Sequence, residues 1–314
     1  MRRIKTVLAI AAFGAALSLH AGAAHAADGM AAQPSQIAQD ARASLAKDIE
    51  AFKLAHPEAF EALRNVQGHK PEVYQKARNP IPVVGRELRR LGPSALLPML
   101  EALAFQAPAR AGATDQEWTA LTVGMLEAVG VIRDPRSGPV LRAIFEGGKA
   151  NAEVLRAAAV GMGQLCGDAE LSVLIKRSAA GDALRAPAIT GLSNCRREGS
   201  AKHLAGLLRA AKDEASGELL GKALGRVASS WAWKAMGSAS EKEGTAVREL
   251  AAKALVDGFV RFGGAARSEI GRALLMTEHK AASELLARAR PSVDASTAAE
   301  IDALSVKLNR IAKR

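Results

Sequence analysis

Apolar positions recur every three or four residues along most of the chain, which is the spacing of one helical face. Ile37, Ala41, Leu45, Ile49 and Phe52 make the first such stripe. Pro57, directly after His56, restarts the chain into a shorter helix carrying Phe60 and Leu63. Residues 68–71 read as a turn, and Pro71 suits the first position of a helix through Tyr74 and Ala77. Asn79-Pro80-Ile81-Pro82 reads as a break. Beyond it the apolar segments come in pairs. The spacing predicts a helix over 83–91, a tight turn at Gly92-Pro93-Ser94, and a partner over 94–104 with Leu96, Leu97, Leu100 and Leu103 apolar. Asp115 is the expected N-cap of a helix over 116–131, and Val140, Leu141 and Ile144 form the buried face of a short helix after the next turn. Helices over 152–165, 169–178, 183–194, 200–211 and 217–228 continue the arrangement. Few runs alternate as a strand would, so the expected fold is all-α.

Two of these segments match closely. Residues 155–166 read LRAAAVGMGQLC and residues 184–195 read LRAPAITGLSNC, at an offset of 29. The helix pairs as a whole recur at roughly 30–35 residues, a period that calls for stacked units. One unit cannot bury its own apolar face, and its neighbours bury it instead. Ala157, Ala158, Ala159, Gly161 and Gly163 would let neighbouring helices approach closely. A mid-helix glycine costs about 1 kcal/mol relative to alanine in an exposed setting, so close packing is the expected reason for them.

The turns and helix ends resemble those of HEAT repeats, in particular the short HEAT-like type. The resemblance rests on Leu91-Gly92-Pro93-Ser94-Ala95-Leu96-Leu97-Pro98, on Val129-Gly130-Val131-Ile132-Arg133-Asp134-Pro135, on Gly163-Gln164-Leu165-Cys166-Gly167-Asp168 and on the copy ending at Cys195. It covers about 82–228 and departs at Trp231-Ala232-Trp233 and at 242–245. It implies a right-handed α-solenoid of stacked antiparallel helix pairs. The repeat motif itself contains no catalytic residue to carry over.

The helical period resumes with Val247, Leu250, Leu255, Phe259 and Phe262, halts at Gly263-Gly264, and continues through Ile270, Leu274, Leu275, Ala282, Leu285 and Leu286. Thr297 and Glu300 have the spacing of a capping box opening a last helix, with Ile301, Leu304, Leu308 and Ile311 on its apolar side. Lys307, Arg310, Lys313 and Arg314 make its outer face charged, as the end of an open array needs. The expected organisation is a signal peptide over 1–26, an N-terminal helical cap over 27–80, a HEAT-like array over 81–240, and C-terminal helical repeats and cap over 241–314.

The leader is read from Arg2, Arg3 and Lys5, an apolar stretch over 7–19, and an A-x-A site at Ala24-His25-Ala26. It predicts an exported chain, periplasmic or secreted, with a flexible start over 27–34 and no stable membrane insertion after cleavage. Loss of the three leader cations takes the formal charge from +11 to +8. Aromatic residues are only 4% of the chain.

Cys166 and Cys195 are the only cysteines and close the two matching segments. An exported address permits a disulfide between them. Packed helix axes lie about 8–10 Å apart, while bridged Cα atoms lie about 4.4–6.8 Å apart. A bridge therefore requires the helix ends to converge, and two buried free thiols are the alternative. His56, His69, His203 and His279 fall in no catalytic or metal-ligand pattern, and no phosphate loop, dinucleotide fingerprint or nucleophile elbow occurs. No catalytic residue, metal or cofactor is expected. Trp231 and Trp233 are either packing at an irregular junction or a partner-binding hot spot. Arg86, Arg89 and Arg90 are either a wet helix face or a surface for an anionic partner. Nucleic acid is not expected, since basic and aromatic residues do not interleave.

These readings lead to the expectation of a non-catalytic HEAT-like scaffold that binds a protein or peptide in the envelope or outside the cell. An enzyme is the first alternative, by the resemblance to HEAT-like proteins associated with bilin lyase activity. A structural envelope component is the second.

Overall fold

The structure, a computed structural model, describes residues 28–67, 81–147 and 150–312. The leader, His69, the turn at 68–71, the helix through Tyr74, Lys313 and Arg314 lie outside them. Among the described residues all regular elements are helical, as the spacing predicts.

In chain order the helices are α1 (Gln39–Ala55), α2 (Pro57–Gln67), α3 (Ile81–Arg90), α4 (Leu96–Ala104), α5 (Asp115–Ile132), α6 (Gly138–Gly147), α7 (Ala152–Leu165) and α8 (Asp168–Ala179). They continue as α9 (Arg185–Leu192), α10 (Glu198–Ala210), α11 (Glu214–Val227), α12 (Ser230–Lys234), α13 (Glu241–Arg261), α14 (Gly264–Thr277), α15 (Lys280–Ala289) and α16 (Ala295–Ala312).

Their packing alternates. One row runs α3 on α5, α5 on α7, α7 on α9, α9 on α11 and α11 on α14. A second runs α4 on α6, α6 on α8, α8 on α10, α10 on α13 and α13 on α15. The rows also touch each other, α6 on α7, α8 on α9, α10 on α11 and α13 on α14. The apolar stripes face the seams between them: Leu88, Leu100, Leu126, Leu141, Met162, Leu192, Leu204, Leu224, Leu255 and Leu274 are all fully buried. The alternation continues past 228, where the turn pattern of the sequence stops. What interrupts the pattern there is an insertion, the short helix α12 and a 3-10 turn (Ser238–Ser240), set between α11 and α13.

Several local expectations are corrected. Helix α3 begins at Ile81, inside the stretch read as a break. Thr114, not Asp115, caps α5: its hydroxyl accepts from the Glu117 N–H at 3.3 Å, and Glu117 accepts from the Thr114 N–H at 2.8 Å. Asp115 instead pairs with Arg110. No capping box forms at Thr297 and Glu300. Asp294 accepts from the N–H groups of Ser296 and Thr297 at 2.9 and 3.0 Å, while Glu300 accepts from Arg267 at 2.9 Å. In both cases the side chain nearer the free N–H groups of the first turn wins.

The start of the described chain is also not loose. Met30 N–H donates to Ala102 O at 2.9 Å, and Ala31 and Ala32 donate to Leu103 O at 3.0 and 3.1 Å. These are carbonyls of the last turn of α4, which have no partner within the helix. The segment therefore serves as a backbone cap for α4.

Candidate functional site

The insertion carries the most distinctive surface. A five-residue helix turns about 100° per residue, so residues two apart point to nearly opposite sides. Trp233 points inward: it is 3% exposed, and its indole N–H donates to Val227 O at 2.7 Å. Trp231 points outward and is 77% exposed. The two tryptophans expected to act together are thus divided, one to packing and one to the surface. Gly244, on α13, lies under the Trp233 ring, where a Cβ would come within 2.8 Å of ring carbons. Gly237 joins α12 to the 3-10 turn at φ 86°, a conformation that favours glycine. Met236 beside it is 45% exposed.

A pocket of about 270 Å³ opens beneath α12, lined by Ser230, Trp233 and Lys234 of the helix, Gly237 and Ser238 of the turn, and Glu241, Gly244 and Arg248 of α13. Lys234 reaches across to Glu278 at 3.0 Å. That hydrogen bond holds the Glu278 carboxyl below its ordinary range against the opposing effect of partial burial, with smaller help from Ser230 and Arg248. Arg248 donates from Nε to Gly244 O at 3.2 Å and from Nη2 to Thr245 Oγ1 at 3.1 Å. Ser230 is 1% exposed. Its hydroxyl lies toward Glu278 without reaching normal hydrogen-bond geometry.

The basic residues of α3 stand apart from this pocket, at the other end of the row. Arg89 pairs with Glu127 at 3.1 Å, and Arg86 and Arg90 are exposed. Cys166 and Cys195 are brought together at disulfide distance, with Cα atoms 5.1 Å apart. Cys166 ends α7 in the left-handed region, at φ 54°. Cys195 lies just past α9 and is fully buried. The convergence that a bridge requires is therefore present.

One pairing had no signal in the sequence. His203 Nε2 lies 2.8 Å from Ser178 Oγ, joining α10 to α8 across 25 residues. The serine is fully buried and its hydroxyl also lies 2.9 Å from Ile175 O. A buried hydroxyl engaged in this way has no open side for a substrate, so the pair serves packing. Burial lowers the His203 pKa. His279 accepts from the Ala281 N–H at 3.3 Å and caps α15; its pKa is lowered first by burial and then by Arg248. His56 sits in the open beside Glu58 at 3.2 Å. Among the described residues, no three His, Cys, Asp or Glu side chains are grouped to hold a metal ion, and no helix is long and apolar enough to cross a membrane.

No family model matches the chain, and no curated protein does. Among solved structures it is similar to human deoxyhypusine hydroxylase in complex with glycerol, at 14% identity and a TM-score of 0.29, over 84% of this chain and 98% of that one. The expectation that the chain is not an enzyme is not upheld here: the solved chain it is similar to is a hydroxylase. A likeness this distant transfers no activity, substrate or residue to the present chain.

Proposed function

We propose that the chain is an exported HEAT-like α-solenoid that holds a protein or peptide partner in the cell envelope or outside the cell, through a surface centred on α12. The observation that carries this reading is Trp231, 77% exposed on an insertion that the other helix pairs lack. Insertions in repeat proteins tend to map to one face, often the binding face, and tryptophan is enriched among residues that dominate binding energy. The positions of the alternating rows support a solenoid, whose stacked helices offer a long surface. The basic leader with its A-x-A site supports export. A cysteine pair at bonding distance is compatible with an oxidising compartment.

The test is co-purification from envelope extract with the wild-type chain and with Trp231→Ala. The reading expects one protein that returns with the wild type and is lost with the variant. Absence of any partner, together with retention on cell-wall material, would replace it with the structural role. Turnover at the same surface is compatible with binding, since Ser230, Lys234, Glu241 and Arg248 include both donors and acceptors able to orient a substrate.

A further inference from the structure

We propose that the pocket beneath α12 receives an acidic side chain of the partner polypeptide, while the apolar residue next to it rests on Trp231. This rests on the partner-binding reading above and narrows it to one chemistry.

Two donors in the pocket keep hydrogen-bonding capacity that the fold does not fully use. Ser230, 1% exposed, has a hydroxyl with no hydrogen bond of normal geometry. A buried polar group left unpaired is costly, and a ligand oxygen would relieve that cost. Arg248 is half-buried and makes no ion pair among the described residues. Its Nε and Nη2 are held by Gly244 O and Thr245 Oγ1, which fixes the guanidinium and leaves Nη1 to donate elsewhere. A carboxylate is the acceptor that best matches a fixed guanidinium, because the hydrogen bond is charge-assisted and the donor is already positioned.

The remaining charges limit the ligand to one carboxylate. Lys234 is committed to Glu278 at 3.0 Å and adds little free positive charge. Glu241 stands exposed at the mouth, where solvent screens its repulsion of the first acid, and it leaves no unpaired cation there for a second. Outside the mouth, Lys234 lies three residues after Trp231 and so neighbours it on the helix surface. That places the exposed indole beside the entrance, with Met236 further along. Trp233 cannot swing away, since it is tied to Val227 O and backed by Gly244. At longer range, the formal charge of +8 left without the leader favours an acidic partner.

The experiment selects a displayed library of random peptides on the full mature chain. The expected enrichment is an aspartate or glutamate directly beside an aromatic or large aliphatic residue. For one selected peptide, changing its acid to the amide weakens wild-type binding by about tenfold, the lower end of what a hydrogen bond to a charged group contributes. Arg248→Gln removes most of that difference, as a double-mutant cycle requires for groups in contact. Trp231→Ala weakens binding by about tenfold as well and leaves the melting temperature unchanged. If Arg248→Gln melts lower than the wild type, Ser230→Ala supplies the same cycle.

Selection without an acidic preference overturns the proposal, as does an acid-to-amide penalty equal in wild type and variant. Enrichment of free peptide C-termini with internal acids neutral overturns the side-chain assignment. Failure to select any peptide, while the wild-type chain still retains one envelope protein through Trp231, overturns this chemistry and leaves the partner-binding reading intact. Loss of both removes that reading too.

Discussion

Gly163 of α7 lies directly against the carbonyl oxygen of Gly191 in α9, so closely that a methyl group on Gly163 would overlap it. Gly191 cannot retreat, because a Cβ there would already be 2.5 Å from Ala159 O on α7. The obstacle on both sides is backbone. Two opposed effects follow for Gly163→Ala. Helix propensity favours alanine by about 1 kcal/mol, while overpacking costs about 1–3 kcal/mol or more where nothing can yield. Overpacking wins, and the urea midpoint should fall. A rise would show that α7 and α9 are less closely packed than the structure has them.

The same approach brings the ends of α7 and α9 together and sets the Cys166 and Cys195 Cα atoms 5.1 Å apart. Thiol titration of the oxidised, unfolded chain should find no free thiol, and titration after reduction should find two. Replacing both cysteines by serine should cost about 3–4 kcal/mol in the chain-entropy model for a loop of this size. Two free thiols before reduction would show that the pair is close but unbonded.

Trp231 and Trp233 should differ sharply despite their spacing. Trp233→Ala empties a buried site and breaks the bond to Val227 O, and should destabilise by about 3–5 kcal/mol. Trp231→Ala removes an exposed ring, and should stay within about 0.5 kcal/mol. Denaturant melts of the two variants check both. Equal losses would mean that Trp231 is covered by something within the fold.

Burial lowers the pKa of His203 and of His279. The unfolded chain then binds their protons more readily than the folded one. Their contribution is complete above the ordinary histidine pKa of about 6.5 and is lost as pH falls through the folded values. Asp134 and Glu278, held low first by Arg136 and by Lys234, keep their contribution until pH falls further. The urea midpoint should therefore be lower at about pH 5.5 than at about pH 7.5. His203→Gln with His279→Asn should remove most of the difference; asparagine keeps the cap on α15. A midpoint that is flat or rises on acidification would contradict the assignment.

What could be read in advance followed from short-range side-chain pattern. Leu96, Leu97, Leu100 and Leu103 announced α4 and its buried face, and the two matching segments ending at Cys166 and Cys195 announced packed neighbours. Backbone relationships leave no such trace. Nothing in Met30, Ala31 and Ala32 marks them as caps for the carbonyls of Ala102 and Leu103. The 297–300 spacing suited a capping box, but Asp294 three residues earlier starts the helix and takes the Thr297 N–H that Glu300 would have accepted from. The pocket was invisible for a related reason. Its walls come from α12, the turn after it and one turn of α13, and only the fold decides that Trp231 faces out and Trp233 in.

A partner-binding surface at Trp231 puts that position in contact with another protein. A photo-crosslinking amino acid placed at 231 in intact exporting cells tests it most directly, with the same group at the exposed Val306 as control. The expected result is a discrete adduct with one protein from position 231 and none from 306. No adduct at 231, or the same ladder of adducts from both positions, would contradict it.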